Sequence, residues 1–145
     1  MKSLTLTMFV LFFVGCIGGL ENFKPASADE ASIKEFFMLV EETWNSKNID
    51  GVLSLYHDNA EIMDGRERII VSKREYANRL NDSVDGLKGS GTIKYGAPKV
   101  KINGDEAEVE ITMVPYGHGN VTLWASFSLI RANNGWLILS RTYSY

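Results

Sequence analysis

The sequence predicts an α+β fold, with three helices followed by an antiparallel sheet. Two observations support this prediction. Apolar residues recur at helical spacing in three stretches up to about residue 81, whereas from Thr92 onward they alternate with polar residues as they do along strands. Helices followed by consecutive strands are typical of α+β proteins rather than of repeated βαβ units.

The first helix is predicted over residues 32–46. One apolar stripe runs along it, formed by Ile33, Phe36, Phe37, Val40 and Trp44. A second, short helix is predicted over residues 50–57, followed by a short strand over 60–63. Asp64-Gly65 is a common turn pair, so residues 64–68 are predicted to turn the chain.

A third helix is predicted over residues 73–81, after a short strand over 69–71. Its start is marked by a capping box, in which Ser72 accepts from the amide of Glu75 and the Glu75 side chain reaches back to Ser72. Tyr76 and Leu80 are expected to face inward. A polar, glycine-rich connector then leads to the sheet.

The sheet is predicted from alternation and from turn residues. Asn103-Gly104 predicts a hairpin between a strand that contains Lys99 and Lys101 and a strand over residues 107–113, with the lysines opposite glutamates. Two further strands are predicted over residues 121–130 and 136–145. Turns at 117–120 and 133–135 precede them.

Composition limits the classes of function. The chain has 145 residues and a formal net charge of −3, with 45% hydrophobic and 23% charged residues, as expected of one globular domain. It has no basic stripe and no excess of positive charge. We therefore expect no binding to nucleic acid.

The N-terminus predicts export. Lys2 precedes an apolar run over residues 4–14 that is too short for a comfortable membrane span, which needs about 20 apolar residues. The run is typical of a signal peptide. We therefore divide the chain into a signal segment, 1–28, and one domain, 29–145, and expect a periplasmic or cell-envelope protein that meets the membrane only through its signal or a lipid anchor.

Two cleavage sites are compatible with this segment. Residues 13–16 resemble the lipobox of bacterial lipoproteins, in which Cys16 would be acylated and become the new N-terminus, although Phe13 stands where leucine is usual. Residues 25–28 instead offer the small-x-small pattern of ordinary signal peptidase, which would cut after Ala28. Cys16 is the one cysteine of the chain, so no intrachain disulfide can form.

The order of elements resembles the NTF2-like superfamily, the cone-shaped fold shared by ketosteroid isomerases, SnoaL-type polyketide cyclases and scytalone dehydratases. Residues 48–62 are similar to its second helix and following strand, and residues 102–109 and 134–136 are similar to its meander. The resemblance implies three N-terminal helices packed on a strongly curved, mainly antiparallel sheet. The pocket inside such a cone is the default site for a small ligand.

The resemblance also implies a test for isomerase chemistry. The general base of the isomerases falls on Asp64, where a carboxylate is present and could abstract a proton. Their oxyanion-hole tyrosine, however, falls on Val40, and their protonated acid falls on or near Ser126. Without those donors the largest electrostatic contribution to such catalysis is missing, so we favour a turn role for Asp64.

The two histidines offer little support for other chemistry. His57 could pair with Asp64 as in a dehydratase, but a position at a helix end, near free carbonyl groups, is the simpler explanation. His118 lies between two glycines in a predicted turn. No spacing matches a compact ligand motif, so we expect no metal site and no cofactor.

Three functions remain open. The first is a non-catalytic, exported domain that binds a small apolar or amphipathic ligand, with the pocket formed by Val40, Trp44, Tyr56, Tyr76, Trp124 and Ser126. The second is an isomerase, cyclase or dehydratase with Asp64 as base and His57 as its partner. The third is an assembly module, in which the sheet face binds protein, including a second copy in a homodimer.

Overall fold

The structure, a computed structural model, describes residues 19–82, 91–116, 121–133 and 135–144. The predicted signal run with Cys16 and the predicted turn with His118 lie outside these ranges. No helix in the described part of the chain is both long and apolar enough to span a membrane.

Three α-helices form one layer of the fold. They are α1 (Ala28–Asn45), α2 (Ile49–Ser54) and α3 (Lys73–Asp82), and a short 3-10 helix, Leu20–Asn22, precedes them. Each of the three α-helices begins after a residue whose side chain caps it. Ser27 accepts from the amide of Glu30, Asn48 from that of Gly51, and Ser72 from that of Glu75.

The second layer is one mixed sheet of seven strands. The strands are β1 (Tyr56–Met63), β2 (Ile70–Ser72), β3 (Thr92–Tyr95), β4 (Lys99–Asn103), β5 (Glu106–Tyr116), β6 (Leu123–Ala132) and β7 (Gly135–Ser144). Their order is β2-β1-β7-β6-β5-β3, and β4 also pairs with β5. The β1–β7 pair is parallel and the other pairs are antiparallel, so the predicted α+β class with a mainly antiparallel, curved sheet is confirmed.

The core lies between α1 and the inner face of the sheet. Phe37 of α1 packs edge-on against Phe127 and Tyr95, with ring centroids 4.9 and 5.5 Å apart. On β6 the buried positions alternate, and they are Leu123, Ala125, Phe127 and Leu129. The predicted cross-strand charge pairs are also present, because Lys99 lies opposite Glu110 and Lys101 opposite Glu108.

The folded region starts upstream of the predicted domain boundary at residue 29. Leu20 is only 3% exposed and belongs to the core. Gly19 forms an isolated β-bridge with Gly96, and Lys34 Nζ donates to the carbonyl of Phe23 at 2.8 Å. Residues 19–28 are therefore part of the fold, and α1 begins four residues before its predicted start.

The second helix is shorter than predicted. It ends at Ser54, and His57 lies in β1 instead of at a helix end. The cause is tertiary: the amide of Ile138 in β7 donates to the carbonyl of Leu55 at 2.8 Å, and Tyr56 pairs with Ile138. Sheet pairing therefore overrides the local helical pattern.

The last strand contains a β-bulge. Ser128 pairs with Ser140, but the next residue of β6, Leu129, pairs with Ile138. Leu139 is therefore the extra residue, and the inward-facing positions of β7 change parity across it. Trp136 and Ile138 are buried before the bulge, and Arg141 is buried after it.

Candidate functional site

A cavity of about 580 Å³ lies between the helices and the inner face of the sheet. Its volume is within the range of small-molecule sites. The wall is mostly apolar, and its aliphatic, methionine and proline members are Val40, Val52, Leu55, Met63, Leu80, Ile93, Met113, Pro115 and Leu123. Aromatic side chains complete it, namely Trp44, Tyr56, Tyr76, Tyr95 and Tyr143.

Four of the six predicted pocket residues line this cavity. Val40 and Trp44 project from α1, Tyr56 lies at the start of β1 and Tyr76 lies on α3. Asp64, the predicted turn residue or base, also lines the cavity at the end of β1.

The prediction that Trp124 and Ser126 touch the pocket is wrong. Both lie on the outer face of β6, and Trp124 is 44% exposed beneath the ammonium group of Lys99. Successive strand residues face opposite sides of a sheet, and Leu123 and Ala125 take the inner positions. The face carrying Trp124 is therefore the solvent face.

Arg141 is the most unusual side chain of the cavity wall, because it is only 5% exposed. Its Nη1 donates to the hydroxyl oxygens of Tyr56 at 2.6 Å and Tyr76 at 3.3 Å, and its Nη2 donates to the Met63 carbonyl at 3.0 Å. Its guanidinium carbon lies 5.0 Å from the ring centroids of Tyr76 and Tyr143, so aromatic rings surround the charge.

Two of the tyrosines that contact Arg141, Tyr56 and Tyr143, are neutral near pH 7. Burial raises the pKa of the Tyr56 hydroxyl well above its ordinary range, although the Arg141 charge lowers it. In the same way, burial raises the pKa of Tyr143 to about 12 against the opposing effect of Arg141. These hydroxyl groups therefore supply hydrogen-bond partners but no negative charge.

Two buried nitrogens of the cavity residues lack a hydrogen-bond partner within the described ranges. They are Arg141 Nε and Trp44 Nε1. Buried polar groups are usually hydrogen-bonded, and an unpaired one costs free energy. The described residues therefore leave the hydrogen-bonding capacity of these two donors unused.

Asp64 is a turn residue held in an ion pair. Its Oδ1 accepts from the amide of Arg66 at 2.8 Å, and its Oδ2 accepts from Nη1 of Arg79 at 3.0 Å. Its backbone closes the turn through bonds to Arg68 and Ile69. Burial alone would raise the pKa of Asp64, but the amide and the guanidinium lower it below its ordinary value of 3.8.

His57 does not join this site. It is absent from the cavity wall, and its Nδ1 accepts from the amide of Asn59 at 3.1 Å. The described ranges hold no hydrogen bond between His57 and Asp64. They also contain no group of three His, Cys, Asp or Glu side chains placed to hold a metal ion.

Charge within the cavity wall is predominantly positive. Among the described residues, four arginines line it, Arg66, Arg68, Arg79 and Arg141, against one acidic residue, Asp64. This contrasts with the formal net charge of −3 for the whole chain. Arg66 and Arg68 are exposed, so they mark a region where the cavity meets solvent.

Sequence reasoning missed Arg79, Tyr95 and Arg141 as cavity residues. The spacing of Glu75 and Arg79, one helical turn apart, was the available signal for part of the ion-pair cluster. No sequence signal marked Arg141, because strict alternation from Trp136 and Ile138 would place it on the outer face. The second bond of the predicted capping box, in which the Glu75 side chain reaches back to Ser72, is also replaced. The Glu75 carboxylate instead accepts from Arg79 Nε at 3.0 Å.

Comparison of whole structures identifies the architecture. An NTF2-like protein of unknown function from Shewanella oneidensis superimposes with a TM-score of 0.68 at 14% identity, covering 79% of this chain and 98% of that chain. A cystatin-like-fold domain of unknown function from Nostoc punctiforme gives a TM-score of 0.66 at 16% identity, covering 83% of this chain and 78% of its own. An NTF2-like protein from Novosphingobium aromaticivorans gives 0.62 at 16% identity, covering 79% and 80%.

The chain therefore has the NTF2-like fold, as the sequence resemblance implied. No protein-family model and no curated protein matches the sequence. At such low identity the similarity establishes the fold alone, and this fold serves many functions. The function must be argued from the cavity.

Proposed function

We propose that this chain is an exported, non-catalytic protein that binds a small apolar or amphipathic molecule in its cavity. The observation that supports this most directly is the cavity itself, whose 580 Å³ is enclosed mainly by aliphatic and aromatic side chains. Small-molecule sites combine such a wall with a few polar groups that fix the ligand's orientation. Here the Arg141 cluster supplies those groups.

The ion pair of Asp64 argues against turnover by proton abstraction. Both carboxylate oxygens already accept hydrogen bonds, and the pKa of Asp64 is lowered, whereas a general base works best when its pKa is near the working pH. One observation supports the enzyme alternative: Asp64 is only 7% exposed and lies on the cavity wall. Asp64→Asn tests it: a binding protein keeps its ligand affinity, whereas an enzyme loses turnover.

Native mass spectrometry on protein purified from its own cell envelope tests the binding function. We expect a small molecule to co-purify and to leave on mild heating, and the same spectra report the number of subunits. A second test uses tryptophan fluorescence during titration with decanoate. Trp44→Phe should abolish the change because Trp44 lines the cavity, and Trp124→Phe should preserve it because Trp124 lies outside. No co-purified molecule and no fluorescence change would contradict the proposal.

We also propose that processing occurs at Cys16 rather than after Ala28. Cleavage after Ala28 would remove Leu20, which is buried in the core, and Ser27, which caps α1. Cleavage before Cys16 leaves both in place. Acylated Cys16 would then anchor the domain in the envelope, and metabolic labelling with a fatty-acid analogue tests this assignment.

A further inference from the structure

Arg141 is a buried cation without a buried anion beside it. No carboxylate lies within 4.0 Å of its guanidinium nitrogens in the described ranges, whereas Arg79 and Arg131 each have such partners. Buried charges in folded proteins are normally paired, because removing an ion from water is costly. The part of the chain that the structure describes therefore supplies no counter-ion for Arg141.

The groups that contact Arg141 compensate this charge only in part. Two tyrosine hydroxyls and the Met63 carbonyl accept three hydrogen bonds, and the rings of three tyrosines contribute cation–π attraction. All of these groups are neutral. A purely structural arginine would have no need to lie on the wall of a cavity, where an anion can reach it.

The acidic residues nearby are already engaged. Asp64 is the one acid that the described residues place on the cavity wall, and its carboxylate binds Arg79 and the amide of Arg66. Glu67 and Glu75 also bind Arg79, each at 3.0 Å. The nearby carboxylates therefore pair with Arg79 and are not available to neutralise the positive charge of Arg141.

We propose that the ligand is an amphipathic monocarboxylic acid whose carboxylate binds the guanidinium of Arg141. This rests on the proposed binding function and specifies its ligand class. The tyrosine hydroxyls that accept from Arg141 keep their own protons, which they can donate to the carboxylate. The apolar body of the acid then occupies the remainder of the cavity, against side chains such as Val40, Leu80 and Met113.

A single negative charge fits this site better than a phosphate dianion. Arg141 is the one buried cation that the described residues place on the wall, because Arg66 and Arg68 are exposed and Arg79 is only partly buried. Arg79 is also bound to three carboxylates. One guanidinium with neutral donors balances one carboxylate charge. Interactions of the exposed arginines with an anion would be screened by solvent and salt.

The experiment compares three acids with their neutral amides on the full processed protein. The probes are decanoate, cinnamate and 2-naphthoate and the corresponding amides, with affinity measured by calorimetry. We expect at least one acid to bind about tenfold or more tightly than its amide, since a hydrogen-bonded charge contributes at least that factor. In Arg141→Met the acid should lose this advantage while the amide keeps its affinity. Arg74→Met is the matched control and should change neither, because Arg74 is exposed on α3 and lies outside the cavity wall.

Each outcome separates the two proposals. Equal binding of acids and amides, or an unchanged preference for acids in Arg141→Met, would overturn the carboxylate assignment and leave the binding function standing. Failure of all six probes together with the absence of a co-purified molecule would overturn both. Arg141→Lys provides the readout if Arg141→Met does not fold, because it keeps the charge and should retain a preference for the acid at reduced affinity.

Discussion

Nη1 of Arg141 lies 2.6 Å from the hydroxyl oxygen of Tyr56, and this contact joins the two ends of the sheet's one parallel strand pair. Tyr56 opens β1 and Arg141 lies in the second half of β7. The bond is buried and has a charged donor, which makes it one of the stronger kinds of hydrogen bond in a protein.

The first prediction concerns this bond. Tyr56→Phe should lower the free energy of unfolding by about 1.5–3 kcal/mol, because it removes the acceptor of a charge-assisted bond at a buried site. Tyr76→Phe should cost less, since its bond to the same nitrogen is 3.3 Å long. Urea denaturation of both variants checks the order. A larger loss in Tyr76→Phe would show that the distances do not report the bond strengths.

The second prediction concerns the ionisation of Asp64. Arg79→Met should raise the pKa of Asp64, because it removes the guanidinium that helps to keep the pKa low. Carbon NMR of the side-chain carboxyl measures the value directly. Lys73→Met is the control, since it breaks a separate ion pair with exposed Asp58 and should leave the Asp64 titration unchanged.

The third prediction follows from the sign of that shift. Because the pKa of Asp64 is lower in the folded state, the ion pair stabilises the fold above the unfolded value of about 3.8, and this stability is lost as the pH falls below it. Asp64→Asn should therefore be less stable than the natural chain by about 1–2 kcal/mol at pH 7. The difference should shrink as the pH falls below 3.8 and disappear once the pH is below the lower pKa that Asp64 has in the folded state. A difference that persists in acid would mean that the ion pair is not its source.

The fourth prediction concerns the N-terminal segment. Leu20→Ala should lower the free energy of unfolding by about 2–5 kcal/mol, as expected for a large aliphatic side chain removed from a core. Leu39→Ala on α1 is the matched control, because Leu39 is exposed and its loss should cost about 0.5 kcal/mol or less. Equal losses of stability in the two variants would contradict the placement of Leu20 in the core.

The fifth prediction compares two chain starts. A chain beginning at Gly19 should melt cooperatively and at a higher temperature than one beginning at Asp29, which lacks Leu20 and the cap at Ser27. If Cys16 is acylated as we propose, Cys16→Ser in the full chain should abolish acyl labelling and release the protein from the membrane fraction. Labelling that survives this substitution would exclude Cys16 as the acylated residue.

Local patterns predicted most of the fold. Strict alternation located β5 and β6, Asn103-Gly104 located the hairpin before β5, and the stripe through Phe37 located the inner face of α1. These features depend on residues close in sequence. The end of α2 was not predictable in this way, because a strand from the far end of the chain pairs with Leu55 and Tyr56.

The inward position of Arg141 depends on a feature that no sequence pattern predicts. A β-bulge adds one residue, Leu139, and so turns Arg141 from the outer face to the inner face. Leu137 and Leu139, which precede and follow Ile138, are also apolar, so the sequence pattern is compatible with either orientation of the strand. The prediction that Trp124 and Ser126 line the pocket was wrong for a simpler reason. In a strand whose apolar residues occupy alternate positions, the apolar residues face the core and the residues between them face outward.

The bridge between Gly19 and Gly96 bears on how the domain would sit in the envelope. If Cys16 is acylated as we propose, only Ile17 and Gly18 separate it from Gly19 along the chain, a reach of about 10 Å. If the chain is anchored in this way, as we propose, the domain stays within about one domain diameter of the bilayer and does not diffuse freely. It would rest on the bilayer surface, where amphipathic acids accumulate, and could collect them as they leave the lipid.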